Sequence, residues 1–214
     1  MPKAERSRPT RKAEQSRETQ DRLIKVAKEL FTSNGYAGTA MEDLVAKAGM
    51  TRGALYHQYA DKRDLFRAVF EAAEAELGQQ LAMAVASESD PWGMLRAGAR
   101  AFLAAATEPA IRQIVLIDGP AVLGWEEWRR IDSQHSLGMV RMIFEANIAA
   151  GNIPPQPVEP LAHLIVGALN EAALAVAASE DAAGARESFA VSMEGVLDAL
   201  RAMAMAPQKR AAHQ

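Results

Sequence analysis

None of the 214 residues is a cysteine, which excludes disulfide frameworks, thiolate zinc sites and thiol nucleophiles at once. The same absence fits a reducing, cytoplasmic setting. No stretch reaches eighteen consecutive apolar residues, and the amino terminus is a basic, polar run without an apolar h-region. Neither a membrane span nor a secretory signal is expected. Catalytic signatures are missing too: there is no HExxH, no GxSxG and no Gly-rich phosphate loop, and the histidines are His57, His135, His163 and His213. A helical enzyme is therefore the remote reading, and no cofactor or metal is expected. Nor is there any Val/Ile/Thr alternation bounded by turn signals, so the chain reads as all-α.

Charge, by contrast, is plentiful and unevenly placed. The whole chain has a formal net charge of -3, but residues 1 to 70 carry 14 basic and 9 acidic side chains, a net +5. The remainder carries a net -8. Such asymmetry points to two differently employed parts, one of which meets a polyanion. With 49% apolar residues, the chain has enough to bury a core.

Punctuation along the chain predicts about nine helices. Residues 1–15 read as a disordered basic arm, and 207–214 as a flexible tail. From about Ser16, Leu23, Ile24, Ala27, Leu30 and Phe31 fall on one helical face, and Asn34-Gly35 supplies a stop. Thr39 to Glu42 has the form of a capping box before a short helix ending at Gly49. Thr51 caps the next helix, which turns Leu55 and Tyr59 inward. Asp61 caps a longer one carrying Leu65, Phe66, Val69, Phe70, Ala73 and Leu77. Asp90-Pro91 and Glu108-Pro109 mark further starts, and Asp118-Gly119-Pro120 is expected to interrupt the middle of the chain. Later helices are placed near 124–150, 158–178 and 182–204.

The short helices around Ala46-Lys47-Ala48-Gly49-Met50-Thr51 make a helix-turn-helix, with Gly49 in the turn and Met50 plugging the core. The stretch GYAGTAMEDLVAKAGMTRGALYHQYADKRDLFRAVF closely resembles the DNA-binding domain of the tetracycline-repressor (TetR) family of transcriptional regulators. The likeness covers about residues 17–70 and includes Leu55-Tyr56, Tyr59, Lys62 and Leu65-Phe66. Ala40 stands where Ser or Thr is commoner in that family, and Tyr59 where Phe is usual.

The resemblance implies an N-terminal three-helix DNA-binding domain (16–70) and a larger C-terminal helical domain for effector binding and dimerisation (71–206). It further implies a homodimer on a palindromic double-stranded operator, released by a small, hydrophobic effector. The alternative is an activator or architectural protein without an effector. On this template residues 51–59 form the recognition helix in the major groove. Arg52 can donate two bonds to guanine, Gly53 leaves room for close approach, and Tyr56 donates to a phosphate. His57 and Gln58 reach phosphate or base, Lys62 is the phosphate-binding lysine, and Thr39 and Thr51 contact the backbone from helix starts.

The acidic part offers fewer signals. From 161 to 178 the helix is apolar nearly all round, so it is expected to be covered on more than one side. Leu161, Ile165 and Leu169, with Phe189, Met193, Val196, Leu197 and Leu200, are assigned to a four-helix interface with a twofold mate. Polar or aromatic residues in this apolar half are the pocket candidates: Asp118, Trp125, Trp128, His135, Asn170 and Glu171, with Phe102 and Met139 as lining. Residues 111–132 also look like the corresponding region of a large TetR subgroup.

Overall fold

A computed structural model describes residues 11–205, and the expectations for 1–10 and 207–214 lie outside them. Nine α-helices, one π-helical segment and no strand occur among the described residues. The helices fall into two compact units divided between Ala72 and Ala73.

In the first unit α1 spans Arg11–Asn34, so residues 11–15, placed above in the basic arm, are helical. Leu23, Ala27 and Phe31, spaced four apart, are fully buried. Gly35 then takes φ 70°, a left-handed conformation that costs glycine little. In the loop that follows, a Cβ on Gly38 would lie 2.4 Å from the Asn34 carbonyl oxygen, so only glycine fits.

The next helix, α2 (Met41–Ala48), begins differently from its capping-box reading. Its N-cap is Ala40, which makes no side-chain bond. Thr39 is buried, and its hydroxyl donates to the carbonyls of Gly35 at 2.8 Å and Leu30 at 3.3 Å. The loop turns this hydroxyl back onto the end of α1, where carbonyls need donors. Gly49, at φ 63°, ends α2 as expected.

Thr51 does cap α3 (Arg52–Gln58), its hydroxyl oxygen accepting from the Ala54 amide at 3.2 Å. Asp61 likewise accepts from the Asp64 amide at 2.8 Å at the start of α4 (Lys62–Ala86). Leu44, Leu55, Leu65, Phe66, Val69 and Phe70 complete this core.

The second unit contains the rest of α4, α5 (Pro91–Ala105), a π-helical segment (Ile111–Asp118), α6 (Gly119–Leu123), α7 (Trp125–Ala149), α8 (Val158–Ala178) and α9 (Ala182–Met205). Asp90 caps α5 by accepting from the amides of Trp92 and Gly93. Asp118-Gly119-Pro120 does not break the chain, because the helix there is already widened to π geometry. Pro120 has no N–H, and the carbonyl five residues before it, that of Val115, accepts instead from the Trp128 indole N–H at 2.8 Å. A proline inside a helix is tolerated when its orphaned acceptor finds another donor.

The apolar α8 has ten of its residues buried. By length and mean hydropathy, 1.7, it is long and apolar enough to cross a membrane, but it is largely covered within the unit as a core helix. The interface assignment needs correcting here. Leu161, Ile165, Leu169, Met193 and Leu197 pack into the unit's own core, Phe189 and Leu200 are half-buried against it, and only Val196 is exposed. Large side chains find cover inside the unit. The outward faces of α8 and α9 carry small and charged residues, Glu159, Glu171, Glu187 and Asp198 among them, interspersed with Leu164, Val191, Val196 and Met203.

Candidate nucleic-acid interface and effector cavity

Helix α3 sorts its side chains cleanly. Leu55 and Tyr59, four apart, are buried, while Arg52 and Tyr56, and likewise Gly53 and His57, form exposed columns opposite. The Tyr59 hydroxyl is bonded in place, accepting from the Gln20 side-chain amide at 3.2 Å. A Cβ on Gly53 would meet nothing within 4 Å, so the first turn of α3 is open to an approaching surface. Arg52 lies over the Tyr56 ring at 5.5 Å and pairs with Glu42 of α2 at 3.4 Å. Both charges of this pair face water, so it contributes at most about 1 kcal/mol and exchanges readily for a stronger acceptor.

Lys62 at the start of α4 is half-buried, its Nζ 4.2 Å above the ring of Tyr36. That ring is itself edge-on to Phe66. Tyr36, unnoticed in the sequence, thus fixes the position of this lysine. Gln58 is half-buried, with its Oε1 unbonded. Thr51 is exposed but already occupied as a cap. Thr39 drops out of the phosphate-contact set, because its hydroxyl is buried and donating to backbone.

In the second unit a cavity of about 50 Å³ lies between α4, α5, α7, α8 and α9. Its walls are almost wholly apolar, with Ser136 and Asn170 as the polar exceptions. A smaller cavity shares Phe102 and Asn170 with it and is walled further on by Trp128 and Asp132. Four nominated residues therefore line cavities: Phe102, Met139 and Asn170 the larger, and Trp128 the smaller. The other four line neither of these two. Trp125 is exposed and stacks on Trp128 at 4.9 Å, and Asp118 is half-buried, accepting from Gln113 at 3.0 Å. His135 and Glu171 point to solvent.

Sequence reasoning missed two buried carboxyl groups. Asp132 on α7 accepts from the Asn170 side-chain amide at 2.8 Å. Glu74 on α4 is 2% exposed and has no hydrogen-bond partner for its Oε1. Burial pushes the Glu74 carboxyl up to about 8, and the neighbouring Asp132 adds to the effect. Burial also raises Asp132, while the Asn170 bond, Arg129 and His135 oppose it. The signal was present in the sequence: Glu74 sits four residues after Phe70 and three before Leu77, on the apolar stripe itself.

Two family models match the chain: one described as Bacterial regulatory proteins, tetR family, over residues 23–69, and one as Tetracyclin repressor-like, C-terminal domain, over 92–200. The chain belongs to the TetR family. The TetR-family regulator of Pectobacterium atrosepticum, known from a crystal structure, is 36% identical with a TM-score of 0.80, covering 90% of this chain and 97% of that one. The transcriptional regulator AcrR of Shigella flexneri is 35% identical over 84 residues, 39% of each protein. The matched stretch thus spans about two-fifths of the first curated relatives. RolR in complex with resorcinol shares the fold, with a TM-score of 0.69 at 19% identity over 91% of this chain and 97% of RolR. As a TetR-family protein the chain is a transcriptional regulator of a DNA-binding repressor family, and the named relatives are regulators rather than enzymes.

Proposed function

We propose that this TetR-family protein is a homodimeric repressor, working in the cytoplasm, that binds a palindromic operator through α3 and is released by a small apolar effector. The observation that carries the reading is the exposed column of Arg52 and Tyr56 on a helix whose other face is fixed by Leu55 and Tyr59. A rigid helix presenting an arginine fork from its first turn can read guanine in the major groove. Thr51, Gly53, His57, Gln58 and Lys62 complete the contact surface, positioning the helix on phosphates.

Dimerisation is supported by the outward faces of α8 and α9. Leu164 is 71% exposed, Val191 63% and Met203 60%, with the small Ala168, Ser188, Ser192, Gly195 and Ala199 also exposed on these helices. Small residues permit close helix approach, and a second copy of the same faces would cover the exposed apolar ones. The apolar cavity is the effector site, and its small volume means that a ligand must displace side chains, flexible Met139 foremost. Effector binding lowers operator affinity by its preference for the DNA-incompetent state and by no more.

The test is selection of bound duplexes from a random pool, followed by retardation assays with the selected operator. Two half-sites about 34 to 36 Å apart, or a multiple of that, are expected for a dimer of this type. Arg52→Ala is expected to lose about 10- to 100-fold in specific affinity while retaining non-specific binding. A specific footprint left intact by that variant refutes the recognition-helix reading.

A further inference from the structure

The smaller cavity, which shares Phe102 and Asn170 with the effector cavity, brings the Asp132 carboxyl group to its wall. Asn170 lines both cavities and donates one amide hydrogen to the Asp132 carboxylate. Glu74, one turn before Leu77 of the smaller cavity on the buried face of α4, lines neither cavity but interacts electrostatically with Asp132 and has an oxygen with no partner. Among the charged groups acting on Asp132, Arg129 and His135 are exposed, so no buried cation neutralises the pair among the described residues. An unbonded carboxyl oxygen in an apolar interior costs free energy that a donor supplied from outside would recover.

We propose that Asp132, Asn170 and Glu74 form the head-group end of the effector site, selecting apolar ligands with a hydrogen-bond-donating head, protonated amines ahead of alcohols, and excluding carboxylates. This assignment rests on reading the cavity as the effector site. An ammonium head has three donors and a charge, so it bonds Asp132 and Glu74 together with charge assistance. An alcohol supplies one neutral donor. A carboxylate brings a third acid into a pocket with no buried cation, and its desolvation is left uncompensated. At neutral pH Glu74 is protonated. An arriving ammonium favours its ionised form, so amine binding releases a proton and neutral alcohol binding does not.

Three probes with one apolar body separate these heads: 3-phenylpropylamine, 3-phenylpropanol and 3-phenylpropionate, titrated calorimetrically into the full-length protein. The amine is expected to bind about tenfold or more tighter than the alcohol, and the carboxylate not to bind. Repeating the amine titration in buffers of different ionisation enthalpy should show net proton release at pH 7.

Asp132→Asn and Glu74→Gln should each reduce the amine-to-alcohol ratio towards one while alcohol binding persists. The wild-type ranking stands as a test even if a variant fails to fold. Alcohol binding with an equal or weaker amine, or with an equally bound carboxylate, overturns the head-group assignment and leaves the effector reading intact. If none of the three binds, the cavity is not the ligand site and both readings fall.

Discussion

A buried carboxyl group with an unpartnered oxygen makes a measurable claim about stability. Glu74 has its proton affinity raised from the ordinary 4.5 to about 8 by burial, with Asp132 adding to it. Above pH 4.5 the unfolded chain gives this proton up, while the folded protein keeps it until about pH 8. The folded state therefore binds more protons throughout that window, and stability falls as pH rises through it. At about 1.4 kcal/mol per tenfold in proton affinity, the loss reaches roughly 3 kcal/mol at pH 7 and on the order of 5 kcal/mol at pH 8 and above. Glu74→Gln keeps the side chain's shape and cannot ionise. It should therefore be more stable than the parent by a few kcal/mol at pH 8, with the gap closing towards pH 5. Urea unfolding at pH 5, 6, 7 and 8, at one fixed protein concentration, measures this directly. A glutamine variant less stable than the parent at pH 8, or a gap that does not widen with pH, would refute the reasoning.

Other changes test separate parts of the structure. Thr39→Val removes a buried hydroxyl that donates to two carbonyls, so it should cost about 1–2 kcal/mol in chemical unfolding while leaving the salt dependence of operator binding unchanged. A lowered salt slope would return Thr39 to the phosphate contacts. Thr51→Ala removes the cap of α3 and should cost about 1 kcal/mol by the same assay. Trp128→Phe leaves the Val115 carbonyl without its donor beside Pro120 and should cost about 1–3 kcal/mol, beyond the loss of ring contacts. Leu164→Asp lies on an exposed face and should leave the monomer folded by circular dichroism. Sedimentation should then report a monomer where the parent is a dimer; an unchanged dimer argues for a different interface.

What could be read from the sequence depended on whether local chemistry or packing decided the outcome. Gly49, Thr51, Asp61 and Asp90 act through their own backbone neighbours, and each ends or caps a helix where the residue pattern placed it. Thr39 has the same local chemistry, yet the six-residue loop 35–40 turns its hydroxyl back onto the end of α1 instead of forward onto α2. Asp118-Gly119-Pro120 misleads for a related reason: the acceptor orphaned by Pro120 is rescued by Trp128, thirteen residues from Val115. In α8 and α9 an apolar stripe identifies surfaces that need cover without saying which cover they find. Of the residues assigned to the interface, Leu161, Ile165, Leu169, Met193 and Leu197 lie in the unit's own core, Phe189 and Leu200 are half-buried, and Val196 is exposed.

Glu74 joins these levels. As a residue on the apolar stripe of α4 it violates the pattern that builds the helix, and its buried oxygen finds no donor. Evolution tolerates such a group where its cost is offset elsewhere, and buried acids with raised proton affinity concentrate at working sites. The cost also makes the site selective. A neutral apolar guest leaves Glu74 unbonded and a carboxylate adds to the mismatch, while a donor-bearing guest alone removes a defect the empty protein already carries. The differential free energy that shifts a regulator between states has to come from contacts made in one state and missing in the other. On the proposed reading, the Glu74 Oε1, unbonded here, is where such a contact forms.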